Sequence, residues 1–340
     1  MTKREAVIAA LEHREVRPVP WSVSLTLPEQ DILCEYYKLS PAALQEKIGS
    51  FITSCDVVSA AMEDVGNERF RDYFGVVWNR SGPDKDIGVV EGAVIPEPET
   101  ESIILPPVPE EEIRRDLSAF CEKPSDTFRI ANFGFSLFER FWTLRGGLEY
   151  ALMDFVADPE FTKDLFDAIT DFNLRCLDII LEYPVDAVLF GDDWGQQKGL
   201  IMGPAHWRNF IRPCLSAMYA KVRTAGKYVL QHSCGDISEV YPDLIEIGLN
   251  AHQTFQPEIF DVDAMKAQYG GKLTFWGAVS TQRLLPFASP EEVTEETKHL
   301  ISLLGTNGGY IAAPTHAVPY DVPAENFDAM LKVFHDQPMK

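Results

Sequence analysis

Val185-Asp-Ala-Val-Leu-Phe-Gly-Asp-Asp-Trp-Gly195 is the stretch whose reading decides the fold. Its apolar run, Val185 to Phe190, does not alternate, which is the pattern of a short strand buried on both faces. Gly191 then breaks the run, and the loop up to Gly195 holds two adjacent carboxylates. The same unit recurs on either side. Lys227 to Gln231 is a second run, ended by His232-Ser-Cys-Gly235; Leu249 to Phe255, Leu273 to Trp276 and Tyr310 to Ala313 follow, and Phe128 to Phe133 comes earlier. Helical periodicity lies between the runs. Phe161, Leu165, Ile169, Phe172, Cys176 and Ile180 step by 4, 4, 3, 4 and 4 and draw one stripe. Phe210, Cys214, Met218 and Val222 repeat at four, with Gly226 as a stop. Ser289-Pro-Glu-Glu292 is a capping box with Pro at the first helical position, opening a helix to Gly305.

Repeated strand–helix units without a G-x-G-x-x-G turn predict an α/β fold, a (β/α)8 TIM-type barrel. One domain is expected over residues 1–340, with an N-terminal helical extension beginning Met1-Thr-Lys-Arg-Glu. From about Arg69 to Pro109 the rhythm breaks into Gly, Pro and two short runs, Gly75 to Trp78 and Gly88 to Glu91. That excursion reads as a β-hairpin inserted in the barrel.

The 340 residues include 30 Lys+Arg and 52 Asp+Glu, a formal charge of −22. Such a surface repels phosphate backbones and anionic lipid, arguing against nucleic-acid and membrane-surface partners. No apolar run is long enough to span a bilayer, and charges scattered through the N-terminal helix are unlike a signal peptide. The cysteines at 34, 55, 121, 176, 214 and 234 form no C-x-x-C pair. A cytoplasmic protein with reduced thiols is therefore expected. The P-loop, the G-x-S-x-G elbow and H-E-x-x-H are absent, which removes the simplest support for phosphoryl transfer, serine hydrolysis and zincin proteolysis.

In a parallel barrel the active site sits at the C-terminal ends of the strands. Those positions hold Asp192-Asp193, His232 and Cys234, Gln253, Trp276, and Thr315-His316. An imidazole and a thiol two residues apart at a strand end can bind one Zn2+, and His316 is the natural third ligand. A buried thiol with a hydrogen-bonded histidine fits the same pair. Asp192 and Asp193 are candidate catalytic acids or orienting partners of a ligand histidine, or equally a loop cap. Glu63 is a further catalytic candidate; with Asp64 it also fits a solvated helix face. Phe133 and Phe135 are candidates to line a pocket for a flat ligand, alongside Gln253 and Trp276 as substrate-binding residues, although the aromatic cluster with Phe138, Phe141 and Trp142 also suits a core.

Arg17-Pro-Val-Pro-Trp21, Gly191-Asp-Asp-Trp-Gly195, His232-Ser-Cys-Gly235, Phe275-Trp-Gly277, Ala313-Pro-Thr-His316 and Asp321-Val-Pro-Ala-Glu-Asn326 form an ordered series. It resembles the uroporphyrinogen decarboxylase superfamily, which includes zinc-dependent methyltransferases acting with corrinoid proteins. The resemblance spans nearly the whole chain and implies the same barrel. True decarboxylases resemble one another in an arginine-rich loop, Arg-Gln-Ala-Gly-Arg, that pairs with substrate carboxylates. Here the matching stretch is Ser22-Val-Ser-Leu-Thr-Leu-Pro28, without arginine. The methyltransferase branch holds zinc with a His-x-Cys pair and a later cysteine; His232 and Cys234 match, and the later position reads Thr315-His316. Relatives with a DDWG loop and a terminal Thr-His look like O-demethylating components. The resemblance thus implies methyl transfer between a small, aromatic methyl ether and the cobalt of a separate corrinoid protein, with Zn2+ as cofactor. Two alternatives remain open: a metal-free decarboxylase of a cyclic or aromatic acid, and a non-catalytic barrel carrying a tetrapyrrole or corrinoid. The third ligand could instead be Glu63 or Asp193, and the reading allows a homodimer.

Overall fold

The computed structural model describes residues 1–58, 62–82 and 88–338. Seven strands make one sheet in chain order: Ile52–Asp56, Phe128–Phe133, Ala187–Gly191, Tyr228–His232, Ala251–Phe255, Thr274–Val279 and Tyr310–Pro314. The second, third and fourth pair in parallel, as do the last three. Helices alternate with the strands, giving the expected (β/α)8 TIM-type barrel. Ala187–Gly191, Thr274–Val279 and Tyr310–Pro314 are buried at every residue, which is why their sequence runs do not alternate. Ile52-Thr-Ser-Cys-Asp56 alternates between buried or half-buried and exposed positions; its polar residues hid it from the sequence reading. No helix among the described residues is long and apolar enough to cross a membrane.

Contacts divide the chain into two compact units: Met1–Thr53 with Ser125–Arg129 and Asn250–Lys340, and Ser54–Pro124 with Ile130–Leu249. In the first unit the N-terminal helix, Lys3–Leu11, is opened by a capping box in which Thr2 and Glu5 exchange hydrogen bonds. Beyond it the chain does more than lead into the barrel. Ala312 N–H donates to the Pro20 carbonyl, Ser22 N–H to the Ala312 carbonyl and Phe51 N–H to the Trp21 carbonyl. Residues 20–22 therefore stand in the eighth strand's place, parallel to Tyr310–Pro314 and leading onto Ile52. The Ser289 capping box and its helix, Pro290–Gly305, lie where the sequence places them.

In the second unit the helix Pro159–Ile180 buries all six residues of the predicted stripe. Phe138 and Phe141 are fully buried and pack against Phe155 and, for Phe141, Phe166, so this part of the aromatic cluster is core. The inserted excursion is larger than one hairpin. Glu63–Gly66, Arg69–Arg71, Val77–Asn79 and Val89–Val90 form a four-stranded antiparallel sheet, while residues 83–87 of the expected excursion lie outside the described residues. Glu63 and Asp64 are on its first strand, exposed, and not on a helix face as expected. The helix reading failed because the segment's apolar residues precede a tight turn at Asn67 and Glu68, both at positive φ.

Candidate metal centre

Two loops of the second unit, Asp192–Gly195 and Ser233–Gly235, are locked together backbone to backbone. A Cβ on Gly195 would lie 2.5 Å from the Cys234 carbonyl oxygen, and one on Gly235 would lie 2.2 Å from the Gly195 carbonyl carbon. Gly235 also has φ +76°, so glycine is required there twice over. Side chains tie the loops further: Trp194 N–H donates to Ser233 Oγ at 3.0 Å, and Cys234 N–H donates to Asp193 Oδ1 at 2.8 Å. Cys234 thus takes its orientation from the Asp192–Gly195 loop.

His232 ends its strand with Nε2 turned to both neighbours. It lies 3.8 Å from Cys234 Sγ and 3.5 Å from Asp193 Oδ1. Zinc bonds of about 2.05 Å to nitrogen and about 2.3 Å to sulfur at a tetrahedral angle put the two donors about 3.6 Å apart. The observed spacing fits chelation of one ion by both side chains. His316, which the sequence offers as the third ligand, belongs to the first unit. His316 follows the strand Tyr310–Pro314 and is exposed, while the other two are half-buried. An imidazole and a thiol at this spacing are a donor pair that suits zinc.

The two aspartates differ in situation. Asp192 is fully buried, and its carboxylate accepts from Phe138 N–H at 2.9 Å, Glu139 N–H at 2.7 Å and Trp194 Nε1–H at 2.5 Å. It caps the helix Phe138–Leu144 from across the unit, a positioning task. Even so, burial outweighs these three donors and pushes its carboxyl up to about 7. Asp193, by contrast, is partly exposed and faces the chelating pair.

Sequence reasoning missed Glu139. Burial drives its carboxyl well above the usual range, and the charges of Asp193 and Asp192 push the same way, against a hydrogen bond from the Asp193 backbone. Burial and the neighbouring negative charge thus favour the protonated form of Glu139. Only its place one residue after a helix start, beside an aromatic cluster, marked it in the sequence.

The remaining candidates stand in different settings. Glu63 is exposed and pairs with Arg71 at 2.9 Å. Phe133 is buried under Phe190. Phe135, at φ +48°, is half-buried with Trp78 at 5.3 Å. Gln253 is half-buried where the strand Ala251–Phe255 shifts register. Trp276 is buried, its Nε1–H donating to Ser22 Oγ at 2.8 Å.

Residues 143–337 match the family model described as uroporphyrinogen decarboxylase (URO-D). The chain belongs to the URO-D family. The match covers His232, Cys234 and His316 together with the Asp192–Gly195 loop. Among solved structures, the URO-D chain resembles a methyltransferase from Methanosarcina mazei, with TM-score 0.71 and 17% identity over 99% of each chain, a likeness of fold. A sugar phosphate isomerase/epimerase from Parabacteroides distasonis ATCC 8503 aligns with TM-score 0.39 and 8% identity over 94% of this chain and 96% of its own, too distant to carry an argument. No curated protein matches the chain.

Proposed function

We propose that this URO-D family protein is a zinc-dependent methyltransferase, moving a methyl group between a small aromatic methyl ether and the cobalt of a separate corrinoid protein. The observation that carries the reading is the approach of His232 Nε2 to Cys234 Sγ, 3.8 Å apart at the end of one strand. A methyltransferase of the same fold in Methanosarcina mazei supports it. So does the stretch Ser22–Pro28, which lacks arginine to clamp a polycarboxylate and whose groups are engaged internally. Ser22 Oγ accepts from Trp276, Thr26 Oγ1 donates to the Val318 carbonyl, and Leu25 bridges Val318.

Zinc held by His232 and Cys234, with His316 proposed as the third donor, would supply Lewis acidity toward a substrate oxygen. The chain's own groups do the rest. Asp193 holds the Cys234 amide and faces His232 Nε2, fixing the orientation of both donors. Asp192 fixes the start of the helix that carries Glu139. Glu139, whose carboxyl burial holds toward its protonated form, gives its proton to the ether oxygen as the methyl group leaves.

The test is metal analysis of protein expressed with zinc in the medium, joined to transfer of methyl from a methoxyarene to reduced corrinoid. About one zinc per chain and corrinoid methylation, both lost in Cys234→Ala, are expected. Turnover by a protein that binds no zinc would overturn the proposal.

A further inference from the structure

Beside the acidic cluster, the second unit holds a recess of about 100 Å³ that the metal centre does not use. Its volume is on the scale of one aromatic ring. The walls include Phe74, Trp78 and Phe135, with Met62 completing them. Phe74 and Trp78 come from the inserted sheet region, whereas Phe135 follows the strand Phe128–Phe133.

Arg140 also lines the recess, though only 7% exposed. Its guanidinium stacks on Phe74 at 3.9 Å and donates from Nη1 to Asp72 Oδ2 at 2.7 Å. Asp72 is saturated, since it also accepts from the Phe74 and Val76 amides and from Trp78 Nε1–H. Arg140 is not: its Nε is buried without a hydrogen-bond partner. Among the described residues that line the recess, Arg140 is the only cation, and Glu112 is the other charged group besides Asp72. A buried guanidinium whose Nε–H has no partner is built to bind another oxygen acid. Glu139 and Arg140 are successive residues; the first meets Asp192 and Asp193, the second this recess.

We infer that this recess binds the ring of an aromatic carboxylate, with the carboxylate on Arg140 and the ring against the wall that Phe135, Trp78 and Phe74 form. The inference rests on the proposed methyl transfer and deepens it, naming the substrate class as a methyl aryl ether that carries a carboxylate. The inserted sheet then has a function: it supplies the specificity wall.

Benzoate is the probe, measured by calorimetry on the full chain as purified. Benzoate should bind at least tenfold more tightly than benzamide, which keeps the ring and loses the charge. Phe135→Leu should weaken it about tenfold, and Met62→Trp, which fills the recess, should abolish binding while leaving the melting temperature close to wild type. Cys234→Ala should lose zinc yet keep benzoate affinity within about twofold. Equal affinity for benzamide, or wild-type affinity in Met62→Trp, overturns the inference. Loss of benzoate in Cys234→Ala would place the ligand on the metal and overturn it too. Absent zinc with benzoate binding intact would sink the proposed function alone.

Discussion

Replacing Asp192 by Asn should shift stability relative to wild type by about 4 kcal/mol between pH 4 and pH 8. The carboxyl is buried, and its value rises from 3.8 to about 7 in the folded protein. The folded state therefore holds this proton more tightly than the unfolded chain. Wild-type stability from this group is highest below about pH 4, falls as pH rises toward 7 and is level above. A gap of about 3 pH units at about 1.36 kcal/mol each gives the 4 kcal/mol. Asn carries no charge into the interior. It does turn an amide N–H2 against one of three donors, from Phe138, Glu139 and Trp194, at a pH-independent cost of about 1 kcal/mol. The variant should be slightly less stable at pH 4 and about 3 kcal/mol more stable at pH 8. With an unfolding entropy of about 2.1 cal/mol/K per residue over 340 residues, the whole shift is about 6 °C in melting temperature. Groups that titrate alike in both proteins cancel, and Glu139, relieved of the Asp192 charge in the variant, shifts the difference the same way. Calorimetric melts of both proteins across this range test it, and a difference that stays flat, or that favours wild type as pH rises, refutes the reasoning.

Glu139→Gln should retain zinc, lower turnover by roughly 100-fold or more and erase the alkaline limb of the pH–rate profile, because the raised carboxyl acts while protonated; an unchanged profile denies it the acid's role. His316→Ala should bind zinc weakly by metal analysis, and His316→Cys should keep zinc but turn over the ether more slowly, since a second thiolate makes a weaker Lewis acid. A full zinc complement in His316→Ala would reassign the third ligand to Asp193. Gly235→Ala should cost several kcal/mol in denaturation or displace Cys234 enough to lose zinc, because its Cβ would sit 2.2 Å from Gly195; wild-type stability and metal content together would contradict the packing described.

The barrel was legible because its strands are buried on both faces, so Val185 to Phe190 and its counterparts read as unbroken apolar runs. Ile52–Asp56 was not, since its exposed positions are polar and the period is lost over five residues. Residues 20–22 were invisible for another reason: two prolines flank Val19, and a strand's place secured through Pro20, Trp21 and Ser22 leaves little periodic signal. At the candidate site, the approach of His232 and Cys234 was legible from their chemistry at one strand end. Asp192 and Asp193 read alike in sequence and separate only through burial, one clamping a helix start and the other facing the metal ligands. Glu139 acquires its property from burial and from two aspartates more than fifty positions away, which no local pattern can carry. Arg140 gains its meaning from Asp72 and Phe74 in the same way.

The most direct test of the account is X-ray absorption at the zinc edge on the purified protein, together with its metal content. The account predicts about one zinc per chain, with one sulfur at about 2.3 Å and two or three nitrogen or oxygen neighbours at about 2.0–2.1 Å, the sulfur vanishing in Cys234→Ala. Zinc bound without a sulfur neighbour, or no zinc after it has been supplied, would contradict it.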